Sequence, residues 1–328
     1  MSASDPSFPG IHPDVEWRVL AMDDATDLLN LVTKLEDQDQ ALFRTSLAEV
    51  EEMLDRPGLA YVVGGISDNQ LVCFGYVGLA RSGSPEAICH GGVLPEIRNR
   101  GLGQDLLSWQ TERGSALLAE HFPGQPCRIT HAVDARRTAF HSHLESLGYQ
   151  WTHSFAELRR GLGSPPRRGD LSSFIEIVQW SDEWEEQARR AFNRVSKQAG
   201  NQESQSAEQW TEARAHLVPG LSFLAVDRTG DRAKVVGLIE VGLYQQDWEA
   251  LGWREGYIDT VAVFHPDSRT QILTSLLSSS LQAMSEAGLD KAAAGIDPQS
   301  DPEMMAFYES MGFEPHAWWR HYARAVAS

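Results

Sequence analysis

Cysteine, basic residues and long apolar runs are all scarce in this chain, and each scarcity excludes something. Three cysteines, Cys73, Cys89 and Cys127, occur in 328 residues. An odd number of thiols, each inside an apolar run, excludes a disulfide scaffold and predicts free buried thiols in a reducing compartment. Lys and Arg number 28 against 46 Asp and Glu, a net charge of −18. That balance repels nucleic-acid backbones and anionic lipid and favours a cationic small molecule or a basic peptide. No apolar run reaches the roughly 18 residues that a membrane span needs. The opening MSASDPSFPGIHPD has neither the basic start nor the apolar centre of a signal peptide and reads as a loose tail. The expected location is the cytoplasm, with neither nucleic acid nor membrane as partner. There is no Cys-x-x-Cys, no Gly-x-Ser-x-Gly and no Gly-Lys-Ser/Thr loop ending, so zinc-knuckle, nucleophile-elbow and P-loop chemistry have no support.

What is present is a plan used twice. LPEIRNRGLGQDLLSWQ (94–110) is matched by HPDSRTQILTSLLSSSLQ (265–282), and AFHSHLESLGYQ (139–150) by MAFYESMGFEP (305–315). The order of landmarks is kept, and HFPGQPC (121–127) accounts for most of the extra length of the first copy. Between the copies, RRGLGSPPRRGD (159–170) has no apolar period and reads as linker. The predicted elements in the first half are a strand at 15–20, a helix from Asp23, and a helix at 45–56 capped by Thr45 or Ser46. Three strands follow, then a long helix from about Gly101 to Glu120, a strand at 127–133, a helix at 135–147 and strand from Tyr149. The second half repeats them: strand 173–178, helices at 182–197 and 206–216, strands 221–227, 233–244 and 256–264, a helix at 268–287, strand 291–296, a helix at 301–311 and strand from Phe313. The expected domains are a tail at 1–13, a first domain at 14–160, a linker at 161–171 and a second domain at 172–328.

The sharpest chemical signal is Arg98-Asn99-Arg100-Gly101-Leu102-Gly103, between an apolar strand (AICHGGVL) and an amphipathic helix. Such a turn presents backbone N–H groups and the positive end of a helix dipole. Gly101 and Gly103 remove the Cβ atoms that would hold a diphosphate away, and Arg98 and Arg100 can add charge-assisted contacts. The alternative is a plain glycine turn with surface arginines. For a proton acceptor near neutrality, His90 on the strand leading into this turn is the candidate, and Asp259 and Glu240 lie on comparable strands of the second copy. His141 and His143 cannot chelate one ion, because residues two apart on a helix project about 200° from each other. No metal is expected.

The pattern Val93-Leu94-Pro95-x-x-Arg98-x-Arg100-Gly101-x-Gly103-x-x-Leu106-Leu107, followed by Leu147-Gly148-Tyr149, resembles the GCN5-related N-acetyltransferases. The resemblance spans the chain as two domains in tandem, similar to the mycothiol synthase type. It implies an α/β (α+β) fold, each domain a mixed, mostly antiparallel central sheet flanked by helices. It also implies an acyl-CoA, such as acetyl-CoA, as co-substrate. Gly92 and Val93 would meet its pantetheine through a strand that splays from its neighbour. The loop Arg98, Asn99, Arg100, Gly101, Leu102, Gly103 and Gln104 would hold its diphosphate. The second copy reads Ser268-Arg269-Thr270-Gln271, without glycine, so acyl-CoA is expected in the first domain. The family's tyrosine acid is matched by Tyr308 in the second copy, whereas the first has Leu144 there. Catalysis in the first half then needs a substitute, His143 or His141, or no acid at all. The implied activity is N-acetyl transfer to a small amine acceptor, cationic given the acidic balance: an amino sugar, an antibiotic amine or a peptide amino terminus. The alternatives are an acyl-CoA-binding regulatory or scaffold protein and a thioesterase. A monomer or a homodimer is expected.

Overall fold

The computed structural model describes residues 8–10, 12–80, 83–164, 169–198, 204–265 and 268–326, with the backbone alone at 195–198. Residues 1–7 and 11 of the expected tail, and 165–168 of the expected linker, lie outside the described residues.

In chain order the first repeat forms β1 (Glu16–Val19), α1 (Ala25–Asp39), α2 (Leu47–Leu54), β2 (Ala60–Ser67), β3 (Gln70–Leu79) and β4 (Glu86–Val93). It continues with α3 (Leu102–His121), β5 (Cys127–Asp134), α4 (Thr138–Ser146) and β6 (Gln150–Gly161). The second forms β7 (Ile175–Gln179), α5 (Asp182–Gln198), α6 (Ala207–Glu212), β8 (Phe223–Asp227), β9 (Lys234–Gly242) and a one-turn α7 (Trp248–Leu251). Then come β10 (Glu255–Val263), α8 (Arg269–Glu286), β11 (Lys291–Ile296), α9 (Pro302–Ser310) and β12 (Glu314–Val326).

Local chemistry accounts for many of the boundaries. Ser46 caps α2, accepting from the Glu49 N–H while the Glu49 carboxylate accepts from the Ser46 N–H, a reciprocal cap that satisfies two orphan donors. Asp68 and Asn69, both at positive φ, make the two-residue turn joining β2 and β3. Helix α1 buries Leu28, Leu31, Val32 and Leu35, one stripe of a 3.6-residue period. Helix α6 is shorter than the periodicity suggests. Leu217 is drawn into a bridge with Gly242, and Arg214 turns inward onto the buried Glu240.

The chain divides into two compact units that differ from a split at 161–171. The first comprises Met1–Ser154 with Trp318–Ser328, the second Phe155–Ala317. Strand order in the first unit is β1-β2-β3-β4-β5-β12, and in the second β7-β8-β9-β10-β11-β6. Each unit therefore takes its closing strand from the other repeat. Residues Trp319 to Val326 run antiparallel to Asp134 to Cys127 in the first unit. Ala156 to Gly161 run antiparallel to Ile296 to Lys291 in the second. Within each unit one neighbouring pair is parallel, β4 with β5 and β10 with β11, and the rest are antiparallel.

Two apolar layers sandwich the first sheet. On one face Cys73, Val77, Cys89, Ile129 and Val133 pack with Leu106, Trp109 and Leu117 of α3. On the other, Val62, Phe74 and Tyr76 pack with Leu28, Leu31 and Leu35 of α1. The three thiols are free and buried, as their apolar surroundings predict.

Candidate active site

The parallel pairing of β4 and β5 stops early. It runs from Glu86↔Arg128 to Ile88↔Thr130 and no further, although β4 continues to Val93 and β5 to Asp134. Antiparallel backbone groups alternate in direction. The bonds Ala80 N–H to Glu86 O and Leu94 N–H to Val72 O fix that alternation across β3 and β4. Even-numbered residues of β4 turn their backbone groups to β3, and odd-numbered ones turn theirs to β5. Past Ile88 the β5 side is an opening, so Gly91 and the Val93 N–H face a gap instead of a strand. Gln110 of α3 fixes this stretch: its buried Nε2 donates to Tyr76 O at 3.0 Å and to His90 O at 2.6 Å.

A cavity of ≈ 1290 Å³ passes through the gap, and every residue lining it belongs to the first unit. Ordinary small-molecule sites occupy about 300–1,000 Å³, so the space accommodates two reactants. Side-chain alternation assigns the walls. Ala87, Cys89 and Val93 face the α3 layer. His90 therefore faces the other way, its ring 5.8 Å from that of Tyr76 in the α1 layer. On β5, Ile129, His131 and Val133 alternate into the α3 layer, with Arg128 and Ala132 exposed. One strand histidine thus lines the passage from each face of the sheet.

At the α3 mouth the turn before the helix is built for an anion. Asn99 and Gly101 adopt left-handed φ of 63° and 92°, and no side chain caps α3. Among the described residues, the N–H groups of Asn99 through Gly103 have no backbone acceptor. A Cβ added to Gly101 or Gly103 would meet nothing within 4 Å. Uncapped amides, open space and the helix dipole together fit a diphosphate.

The arginines expected at this turn act differently. Arg98 donates through Nη1 and Nη2 to Asp39 at 2.9 and 3.0 Å, and through Nε to Val93 O at 2.8 Å. It ties the turn to the end of α1 rather than standing free for an anion. Arg100 does not line the cavity; it lies 3.7 Å from Asp14. Leu102 is core, so only its backbone faces the turn. Gly92, Val93, Asn99, Gly101, Gly103 and Gln104 line the cavity, and so do His90 and His143. Arg136 and Arg137, at the start of α4, line the same mouth, Arg137 lying 3.5 Å from Asp39.

The opposite end, under α1 and α2, carries Glu36, Glu49 and Glu52 with Tyr76 and Arg56. Burial raises the Glu36 carboxyl above its usual range, offset in part by bonds from Thr45. His90 is exposed to the cavity, and the protein packed around that wall lowers its imidazole below the ordinary value by desolvation.

Tyr308, expected as an acid, belongs to the second unit and does not reach this cavity. It is 3% exposed, edge-on to Phe313 at 5.1 Å. Leu144 and His141 are buried in the first unit, and His141 stacks on Tyr322 at 5.4 Å. In the second unit, counting from the pairs Glu86↔Arg128 and Glu255↔Lys291, Asp259 takes the place of His90. Its carboxyl accepts from the Tyr244 hydroxyl at 2.9 Å. Glu240 is held at 2.5 Å by Arg214. Of the second turn, Pro266 and Asp267 lie outside the described residues. Arg269 stands 3.5 Å from Glu303.

Asp39, Gln110, Arg136, Arg137, the three glutamates and His131 carry no sequence signal of their own. They are distant in the chain and meet only in the folded unit.

At the level of sequence, no family model and no curated protein matches the chain. Solved structures do match. A GCN5-related N-acetyltransferase from Sphaerobacter thermophilus superposes with a TM-score of 0.74 at 19% identity, over 97% of this chain and 98% of that one. A tandem protein of the same kind from the clavulanic acid biosynthesis pathway gives 0.67 at 15% identity, over 96% and 99%. The N-myristoyltransferase of Saccharomyces cerevisiae, solved with bound myristoyl-CoA, gives 0.59 at 14% identity, over 99% and 82%. With two repeats of a mixed sheet, each carrying one parallel pair, the chain has the tandem GCN5-related N-acetyltransferase fold.

Proposed function

We propose that the first unit transfers an acyl group, most simply acetyl, from acyl-CoA to a small, positively charged amine. The observation that carries this reading is the passage through the sheet at the β4–β5 opening, with an anion turn at one mouth and carboxylates at the other. The diphosphate of the donor meets the bare amides of Asn99 to Gly103, and its pantetheine meets the backbone of Gly91 and the Val93 N–H. The amine enters from the α1 and α2 side, where Glu36, Glu49 and Glu52 favour a cation. The amine gives up its ammonium proton to solvent before it reacts, and His90, on that same side, accepts the second proton, which the nitrogen loses as it attacks the thioester carbon. Holding both reactants in one passage supplies the approach and orientation, so no covalent enzyme intermediate is needed. Structural neighbours with N-acetyltransferase and myristoyl-CoA descriptions agree with this reaction class.

The test is release of free CoA thiol from acetyl-CoA across a panel of amines. Release that accelerates with a particular cationic amine supports the reading. Release without any acceptor indicates a thioesterase, and thermal stabilisation by acetyl-CoA without turnover indicates a binding protein. Either of those outcomes overturns it.

A further inference from the structure

Among the residues lining the cavity, His131 is left without a task by the mechanism above. It is the first inward-facing residue of β5 beyond the last β4–β5 pair, Ile88↔Thr130. It is 4% exposed, lines the cavity, and its buried Nε2 has no hydrogen-bond partner among the described residues. Its ring stands edge-on to Tyr149 at 5.0 Å and to Phe140 at 6.4 Å. A buried polar atom left unpaired costs about 1–3 kcal/mol. One that borders a cavity in this state is placed to be satisfied by whatever occupies the cavity.

The two faces of the passage decide what that is. The diphosphate turn and α4 lie on the α3 side, and the carboxylates and His90 lie on the α1 side. A thioester seated in the opening has its carbonyl carbon reached from the His90 side, while its sulfur leaves toward the α3 side, where His131 stands. We infer that His131 is a catalytic residue of this unit, donating a hydrogen bond to the sulfur that leaves the acyl group. This rests on the acyl-CoA reading above. In the transfer, the C–N bond forms as the C–S bond breaks and its electron pair stays on sulfur. The neutral amine, its ammonium proton already lost to solvent, passes its second proton to His90, and the His131 N–H hydrogen-bonds the thiolate until the proton on His90 reaches it through solvent.

The surroundings agree with a donor that stays uncharged. Burial, and then the neighbouring His90, lower the His131 imidazole to about 3. Beside it stand the Tyr149 hydroxyl, which is hydrogen-bonded to Thr111 at 2.8 Å, and Tyr322, its pairing partner on β12. Neither is a carboxylate that would draw a proton onto the ring. Leu144 of α4 is buried in the core and offers no donor.

The experiment titrates the thiol of bound CoA by the ultraviolet absorbance of its thiolate, in the full-length wild type, His131→Phe and His131→Gln. Acetyl-CoA, which has no free thiol, serves as the blank. The bound thiol should ionise about one to two pH units below free CoA in the wild type. It should return to the free value in His131→Phe, and recover part of the shift in His131→Gln, which keeps an N–H donor. A bound thiol that titrates like free CoA in the wild type overturns the inference whatever the variants do. So does an equal shift in His131→Phe. Should CoA not bind the wild type at all, the acyl-CoA reading itself falls, and this one with it.

Discussion

Gly101 and Gly103 look alike in the sequence, yet the structure gives them opposite requirements, and that contrast tests the anion turn. Gly103 has an ordinary helical φ, lies in the first turn of α3, and has nothing within 4 Å of an added Cβ. Gly103→Glu should therefore stabilise the protein. Removing a helical glycine contributes about 0.5–1 kcal/mol, and an acid in the first turn adds about 0.3–1 kcal/mol through the dipole. For a unit of this size, about 1 kcal/mol is a rise of roughly 2–4 °C in Tm. The same carboxylate points into the turn that receives the diphosphate. Two like charges about 4 Å apart in a partly screened site repel by about 4 kcal/mol, so CoA affinity should fall by two to three orders of magnitude. Gly101 sits at φ +92°, so Gly101→Ala should lower Tm through backbone strain of about 1–2 kcal/mol. Thermal unfolding with and without CoA, with calorimetric titration for affinity, reads all of this. Arg269→Glu, at the start of α8, serves as the control that leaves the CoA response unchanged. A Gly103→Glu protein that still gains stability from CoA as the wild type does would refute the assignment of the diphosphate to this turn.

Three further outcomes follow from the same geometry. His90→Gln should lower kcat/KM by about two to four orders of magnitude with CoA binding unchanged. In the wild type, the fall of kcat/KM toward acid should occur below the ordinary histidine value, because desolvation lowers His90; a midpoint above about 6.5 contradicts that role. Glu52→Gln should raise KM for a charged amine about three- to tenfold, with a smaller effect in high salt, and leave an uncharged amine untouched; equal effects on both would remove the carboxylate from acceptor recognition. The buried His131, lowered to about 3 when folded, binds its proton more readily in the unfolded chain. Its contribution to stability is complete above about pH 6.5 and is lost as pH falls from there toward 3, about 2 kcal/mol of it by pH 5. His131→Phe should flatten that acid decline in denaturant titrations at pH 7 and pH 5, and parallel declines would show that the ring titrates freely.

The strand, turn and helix around residues 86 to 121 were legible because each piece is specified locally. An apolar strand, a glycine needed for positive φ and an amphipathic helix follow one another without help from distant residues. The same holds for the Ser46–Glu49 cap and the doubled element order. Arg98 shows the limit. Read along the chain it is a free cation beside an anion turn. Folded, it is paired with Asp39, a residue 59 positions earlier whose own context in α1 gives no hint of it.

The sequence by itself determined two copies of a plan and placed the glycine turn in the first. Periodicity and turn chemistry act over a few residues, and those were all present in the text. Tertiary structure alone decided which strand closes each sheet, because β6 and β12 follow equivalent helices in the two repeats and either pattern suits the open edge of a parallel pair. It also decided where β4 and β5 part, and so which histidine lines each face of the passage. That depends on the register between strands some forty residues apart, which neither strand encodes alone.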